Sequence, residues 1–145
     1  MDDVFRTETQ YALRAAAALA HQAAPMSIPK IAELTGSPAP MLAKVLYRLA
    51  QQGIVVGRPG PGGGYRLARD AAAIRLTDIV TLTEGTEFGR FCLFGLPTCS
   101  DDQPCPLHEV WGPVRQKIFD MVEQHTVADL AGGTIRIPDS PKEPR

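Results

Sequence analysis

Nowhere in the 145 residues is there a run of about eighteen apolar side chains, so no transmembrane helix is expected. The opening residues, Met1-Asp2-Asp3-Val4-Phe5-Arg6, are acidic and lack the apolar core and small-residue cleavage site of a secretory signal, so a cytoplasmic protein is expected. Hydrolytic chemistry also lacks its parts. No serine or paired-carboxylate motif stands at a suggestive spacing, and His21, His108 and His125 sit on or beside helices. Asp101-Asp102 reads as a solvated loop pair, so no enzyme is expected. The segment Gly57-Arg58-Pro59-Gly60-Pro61-Gly62-Gly63-Gly64 lacks the Gly-Lys-Ser/Thr ending of a P-loop, and a strand follows it rather than a helix. There are only three cysteines, Cys92, Cys99 and Cys105, an odd number that argues against a closed disulfide framework.

What is present divides by charge. Residues 1–69 carry eight basic side chains against four acidic, a net of +4, and residues 70–145 carry seven against twelve, a net of −5. The asymmetry suits a basic contact face on the first half and a different task for the second.

The first half reads as a winged helix-turn-helix, residues 1–70. A helix over 7–22 is built from strong helix formers around Tyr11 to Ala20, and Ala24-Pro25 ends it. Ser27 is placed as the N-cap of a short second helix with Pro29 in its first turn, closed by Gly36. After the Ser37-Pro38-Ala39-Pro40 turn, a third helix runs to about Gln52. Leu42, Val45, Leu46 and Leu49 give it a core stripe, and Met41, Lys44, Arg48 and Gln51 are assigned to the opposite, solvent face. Ile54-Val55-Val56 and Tyr65-Arg66-Leu67 form a hairpin around the glycine-rich loop. The expected fold is mainly α with a small β-hairpin wing.

A two-faced third helix after a tight turn is the geometry of a major-groove reader. Lys44 and Arg48 can reach phosphate or a guanine edge, with Ser37, Met41 and Gln51 beside them, while Arg58, Gly63 and Tyr65 belong to a wing suited to backbone or minor-groove contact. The bland alternatives are a solvated helix face and a floppy hairpin.

Residues 71–131 are read as a cysteine-bearing loop and a dimerisation helix. Thr77 to Glu84 is a short helix ending at Gly85, and Phe88 to Pro106 has no periodicity. Val110, Trp111, Val114, Ile118, Met121 and Val122 then keep helical spacing in a stripe too apolar to leave exposed, interrupted by Gly112-Pro113. Thr126 to Leu130 adds a turn, and residues 132–145 read as a mobile tail. Cys92, Cys99, Cys105 and His108 form C-x6-C-x5-C-x2-H. Thiolates suit iron–sulfur clusters and zinc alike, although both cysteine gaps exceed the usual spacing of structural zinc pairs. Cysteines packed as small hydrophobes and a thiol redox switch remain open readings.

Taken together, these segments resemble the bacterial winged-helix family that contains the iron–sulfur regulator IscR and the nitric-oxide-responsive repressor NsrR. The resemblance covers about residues 5–131. It is carried by Thr9-Gln10-Tyr11-Ala12-Leu13-Arg14, Ile31 to Gly36, Leu46-Tyr47-Arg48-Leu49, Gly62 to Leu67, and Leu76 to Val80 with Glu84-Gly85. It implies a homodimer built on the long C-terminal helix, reading a pseudo-palindromic DNA operator. It further implies a [2Fe–2S] or [4Fe–4S] cluster on the three cysteines, and a repressor sensing iron–sulfur status, iron, nitric oxide or oxidants. The alternative is a non-DNA-binding redox carrier or a zinc-stabilised interaction module. His108 matches the histidine that resembles the fourth ligand of IscR. In NsrR-like members an acidic side chain of the partner's first helix fills that role, and Gln10, a poorer ligand, stands there, which favours His108 or a small exogenous ligand. The first cysteine gap is one residue longer than in the best-known members. Ala43 stands where the IscR-like pattern has a glutamate on the recognition helix, so the target sequence is not carried over from IscR.

Overall fold

The computed structural model describes residues 4–86, 88–97 and 100–132. Cys99 and nearly all of the expected tail, residues 133–145, lie outside the described residues. The chain forms α1 (Thr7–Leu19), α2 (Ile28–Thr35), α3 (Ala39–Gln51), β1 (Val55–Arg58), β2 (Gly64–Leu67), a 3-10 turn (Ala71–Ala73), α4 (Leu76–Glu84), α5 (His108–Gln124) and α6 (Val127–Leu130). Helices packed around one antiparallel hairpin make this a winged helix-turn-helix.

Alanine sets how closely α1 packs. Ala12, Ala15 and Ala16 are fully buried, and their short side chains let α1 lie close against its neighbours. Leu42, Leu46 and Leu49 of α3 and Ile31 of α2 fill the space below it, joined by Ile54, Val55, Ile74 and Ile79. Burying each such side chain contributes roughly 1.5–3 kcal/mol. α1 ends at Leu19, three residues before the expected end at Gln22, because the backbone turns after Ala20 toward Met26.

Met26 supplies a link that pattern reading does not contain. Its N–H donates to the Tyr65 carbonyl and its carbonyl accepts from the Tyr65 N–H, both at 2.8 Å, so the α1–α2 connection adds a one-residue bridge to the wing. In the hairpin Val55 pairs with Leu67 and Arg58 with Gly64. The strand therefore continues two residues beyond Val56, into the glycine-rich segment.

Ser27 caps α2 by accepting from the Lys30 N–H, and Gly36 ends it at φ 64°, as the sequence suggests. α4 starts where Asp78 accepts from the Arg75 N–H, and α6 where Asp129 accepts from the Thr126 N–H. Leu76 N–H to His125 O and Val127 N–H to Ile74 O tie the α5–α6 junction to the start of α4 and the residues before it. α5 runs unbroken from His108 and carries Pro113 inside it, although proline cannot donate to the Glu109 carbonyl one turn back. Val122, expected in a stripe facing another chain, is instead 2% exposed within this chain's own core. Its position, on the opposite edge of the stripe from Val110, turns it toward α4, where Thr77 also donates to its carbonyl.

Candidate DNA-binding face and cysteine site

The outward face of α3 follows from its core stripe. Leu42, Val45, Leu46 and Leu49 turn inward, leaving Ala43, Lys44, Tyr47 and Gln51 exposed. Tyr47 is 61% exposed, and its hydroxyl accepts from Gln51 Nε2 at 3.3 Å. An aromatic ring held outward on this face is a candidate contact residue absent from the set expected from the sequence. The signal was available: at 100° per residue, Tyr47 and Gln51 lie nearly opposite the leucines.

Arg48 does not stand free beside Lys44. Its guanidinium pairs with Glu8 of α1 and donates to the Leu82 carbonyl of α4 at 2.7 Å. On the helical wheel Arg48 falls roughly 60° from Val45, on the flank of the core stripe rather than opposite it. Met41, on the same flank, is half-buried. Ser37, expected to offer a hydrogen bond outward, is 4% exposed, and its Oγ is shut in beneath the α2–α3 turn.

The wing carries Arg58 on its exposed edge. Two of its glycines are dictated by packing. A Cβ on Gly63 would come within 2.1 Å of the Arg58 carbonyl oxygen. One on Gly64, at φ 141°, would come within 2.2 Å of the Met26 carbonyl oxygen. Tyr65 is half-buried, with its ring against Gly57 and its backbone paired to Met26. Ser27, Ile28, Pro29, Arg58, Gly60 and Tyr65 line an open cleft of about 540 Å³ between the start of α2 and the wing.

The cysteine segment is anchored through rings. Phe5 stacks on Phe88 at 5.5 Å, Phe88 lies 6.3 Å from Phe91, and Phe91 meets Trp111 of α5 edge-on at 5.3 Å. Trp111 Nε1 donates to the Phe91 carbonyl, and Arg115 donates to that of Gly89. Cys92 follows directly. Burial raises the pKa of its thiol, but the backbone N–H groups of Leu96, Phe94 and Gly95 and a hydrogen bond with Cys105 outweigh burial and hold it below the ordinary thiol value. Cys105 is buried, and neither cysteine is in a disulfide. His108 opens α5, with its N–H on the Cys105 carbonyl and its Nε2 2.7 Å from Asp101 Oδ1. Among the described residues, no three His, Cys, Asp or Glu side chains are arranged to hold a metal ion. Two sulfurs are together, and the third thiol belongs to Cys99. Gln10 donates to the Phe5 carbonyl.

Along α5, Val110 is 74% exposed, and Val114 and Met121 are about half exposed on the same face. Trp111 and Ile118 are half-buried at its edge. Leu93, Phe94 and Leu96 of the cysteine segment are exposed as well. No helix among the described residues is long and apolar enough to cross a membrane.

Comparison with known proteins agrees with this architecture. The Rrf2 family, described as "Iron-dependent Transcriptional regulator", matches residues 5–133. A protein of Aquifex aeolicus carrying a provisional HTH-type transcriptional regulator name is 33% identical over 130 residues, spanning 88% of this chain and 90% of that protein. The HTH-type transcriptional regulator IscR of Yersinia enterocolitica is 30% identical over 113 residues, 78% of this chain and 68% of its own. Among solved structures, CymR, the global cysteine regulator of B. subtilis, superposes with a TM-score of 0.75 at 25% identity, covering 91% of this chain and 98% of that one. IscR of T. potens gives 0.67 at 26% identity, covering 88% and 85%.

Proposed function

The chain belongs to the Rrf2 family of transcriptional regulators, and from that premise we propose that it is a dimeric, cytoplasmic DNA-binding repressor controlled by an iron–sulfur cluster. Its family makes it a transcription regulator, not an enzyme, and the reading as a non-DNA-binding carrier or zinc module loses its ground.

Two winged helices would read a pseudo-palindromic operator. Lys44, Tyr47 and Gln51 would enter the major groove, with Met41 at their flank, and Arg58 would follow the backbone or minor groove from the wing. Residues 1–70 form the DNA-binding region, and residues 71–131 form the cluster loop and dimer helix. Val110, Val114 and Met121, with Trp111 and Ile118 at the edge, are the face offered to a second copy; leaving such a stripe in water is unfavourable.

The observation that carries the cluster is the pairing of Cys92 with Cys105, where backbone N–H groups directed at the Cys92 sulfur lower its pKa. Such a sulfur is prepared as a ligand, because metals take the thiolate rather than the thiol. Cys92, Cys99 and Cys105 would hold a [2Fe–2S] or [4Fe–4S] cluster, with His108 as fourth ligand, steadied by Asp101. When bound, the cluster supplies an iron site that iron status, nitric oxide or oxidants can alter. The same Cys92–Cys105 contact supports a second reading, a metal-free thiol switch in which the two thiols lose two protons and two electrons to an oxidant and form a disulfide.

Anaerobic isolation with iron and acid-labile sulfide analysis decides between them. A brown protein containing both elements, with most iron lost in Cys92→Ala and Cys105→Ala, is the expected result. A colourless protein whose mass falls by two protons on mild oxidation would replace the cluster with the disulfide.

A further inference from the structure

We infer that Arg48 is a positioning residue of the recognition helix, holding α3 in its DNA-reading pose through Glu8 and the Leu82 carbonyl, and that it does not itself contact DNA. The inference rests on the DNA-binding reading above and deepens it. Arg48 lies in the last turn of α3. Glu8 lies in the first turn of α1, and Leu82 in the last turn of α4. One planar guanidinium therefore ties three helices together at one point.

Each partner suits a cation. A carbonyl in the last turn of a helix has no intrahelical donor and lies at the negative end of the dipole. Glu8 is mostly buried, so withdrawing Arg48 toward a phosphate would leave a carboxylate without its partner. The point is reinforced around it. The Thr9 hydroxyl lies 2.7 Å from Thr83 Oγ1 and 2.6 Å from Glu84 Oε1, and the Arg6 N–H donates to the same Glu84 oxygen. α1 and α4 thus form a fixed base, and Arg48 fastens α3 to it. Lys44, one turn earlier and exposed, has the reach into a groove that Arg48 lacks.

A direct contact and a positioning contact differ in what Glu8 does. If Arg48 touched DNA, removing the Glu8 charge would release it, and binding would hold or tighten. If Arg48 positions α3, Glu8→Gln should weaken binding as Arg48→Lys does, since lysine keeps the charge but not the two-partner fork.

The experiment uses the full-length protein and a duplex it selects from a random-sequence pool, titrated at several salt concentrations against a scrambled duplex. Glu8→Gln and Arg48→Lys are each expected to weaken specific binding on the order of tenfold, with the double variant no worse than the weaker single. The salt slope should stay unchanged in all three, whereas Lys44→Ala should make it shallower or relax preference at one base pair. Thermal melts confirm folding, and Glu8→Ala repeats the cycle should either variant unfold. The inference is overturned if Glu8→Gln leaves binding intact while Arg48→Ala lowers the salt slope by about one unit per half-site. Failure of the unmodified protein to select any duplex would instead remove the DNA-binding reading itself.

Discussion

The winged half and the cysteine–α5 half of this chain treat their apolar side chains differently. In α3, Leu42, Leu46 and Leu49 are fully enclosed by α1, α2 and the strand that follows. In α5 only Val122 is buried, while Val110, Val114 and Met121 face outward. The α3 stripe is satisfied by its own chain. The cysteine–α5 half holds its shape through a ladder of rings from Phe5 to Trp111 and through backbone carbonyls captured by Trp111 and Arg115. The apolar stripe of α5 is left open by its own chain, and in the reading proposed above a second copy covers it.

The largest expected effect tests the enclosed region. Leu46→Ala should lower unfolding stability by about 2–5 kcal/mol, read by denaturant titration, because the surrounding helices cannot close the cavity. A loss below about 1 kcal/mol would mean that α3 packs more loosely than its burial implies.

Glycines sharpen the contrast. Gly64 has φ 141° and a backbone oxygen in the way of any Cβ, whereas Gly95 has φ 86° and open space. Gly64→Ala should therefore cost about 2–4 kcal/mol and loosen the Met26–Tyr65 bridge, detected as faster amide exchange at both residues. Gly95→Ala should cost only the backbone strain, about 1–2 kcal/mol. Equal losses would show that the wing yields as readily as the cysteine segment.

Val114→Glu addresses the open face. Sedimentation should show self-association weakened by about a hundredfold or more, with far-ultraviolet circular dichroism unchanged, since the side chain has little to lose within its own chain. An unaltered dimer would move the interface off this stripe. The smallest effect is Val110→Ala under conditions where the protein is monomeric: within about 0.5 kcal/mol, as for an ordinary surface position.

Much of the winged half was legible because its signals are local. The α3 stripe, the Ser27 cap, the Gly36 stop and the glycine-rich hairpin each depend on neighbours a few residues away. The cysteine motif was legible as chemistry, since three thiols within fourteen residues limit what they can do. Sidedness at the flank of a helix was not. Whether Arg48 faces water or Glu8, and whether Val122 faces a second chain or α4, depends on which elements pack alongside, and those lie tens of residues away in sequence.

The sequence by itself therefore determined the order of the helices and the hairpin, the core stripe of α3, and the residue types available at the candidate sites. Tertiary structure alone decided that Met26 joins the wing, that Ser37 is shut in, that Arg48 is held by Glu8 and Leu82, and that Cys92 meets Cys105 among the N–H groups of Phe94, Gly95 and Leu96. The reason is physical. Helical periodicity and caps are set by hydrogen bonds and side chains within a turn or two, but a hydrogen bond between distant segments exists only once packing has brought donor and acceptor within about 3 Å.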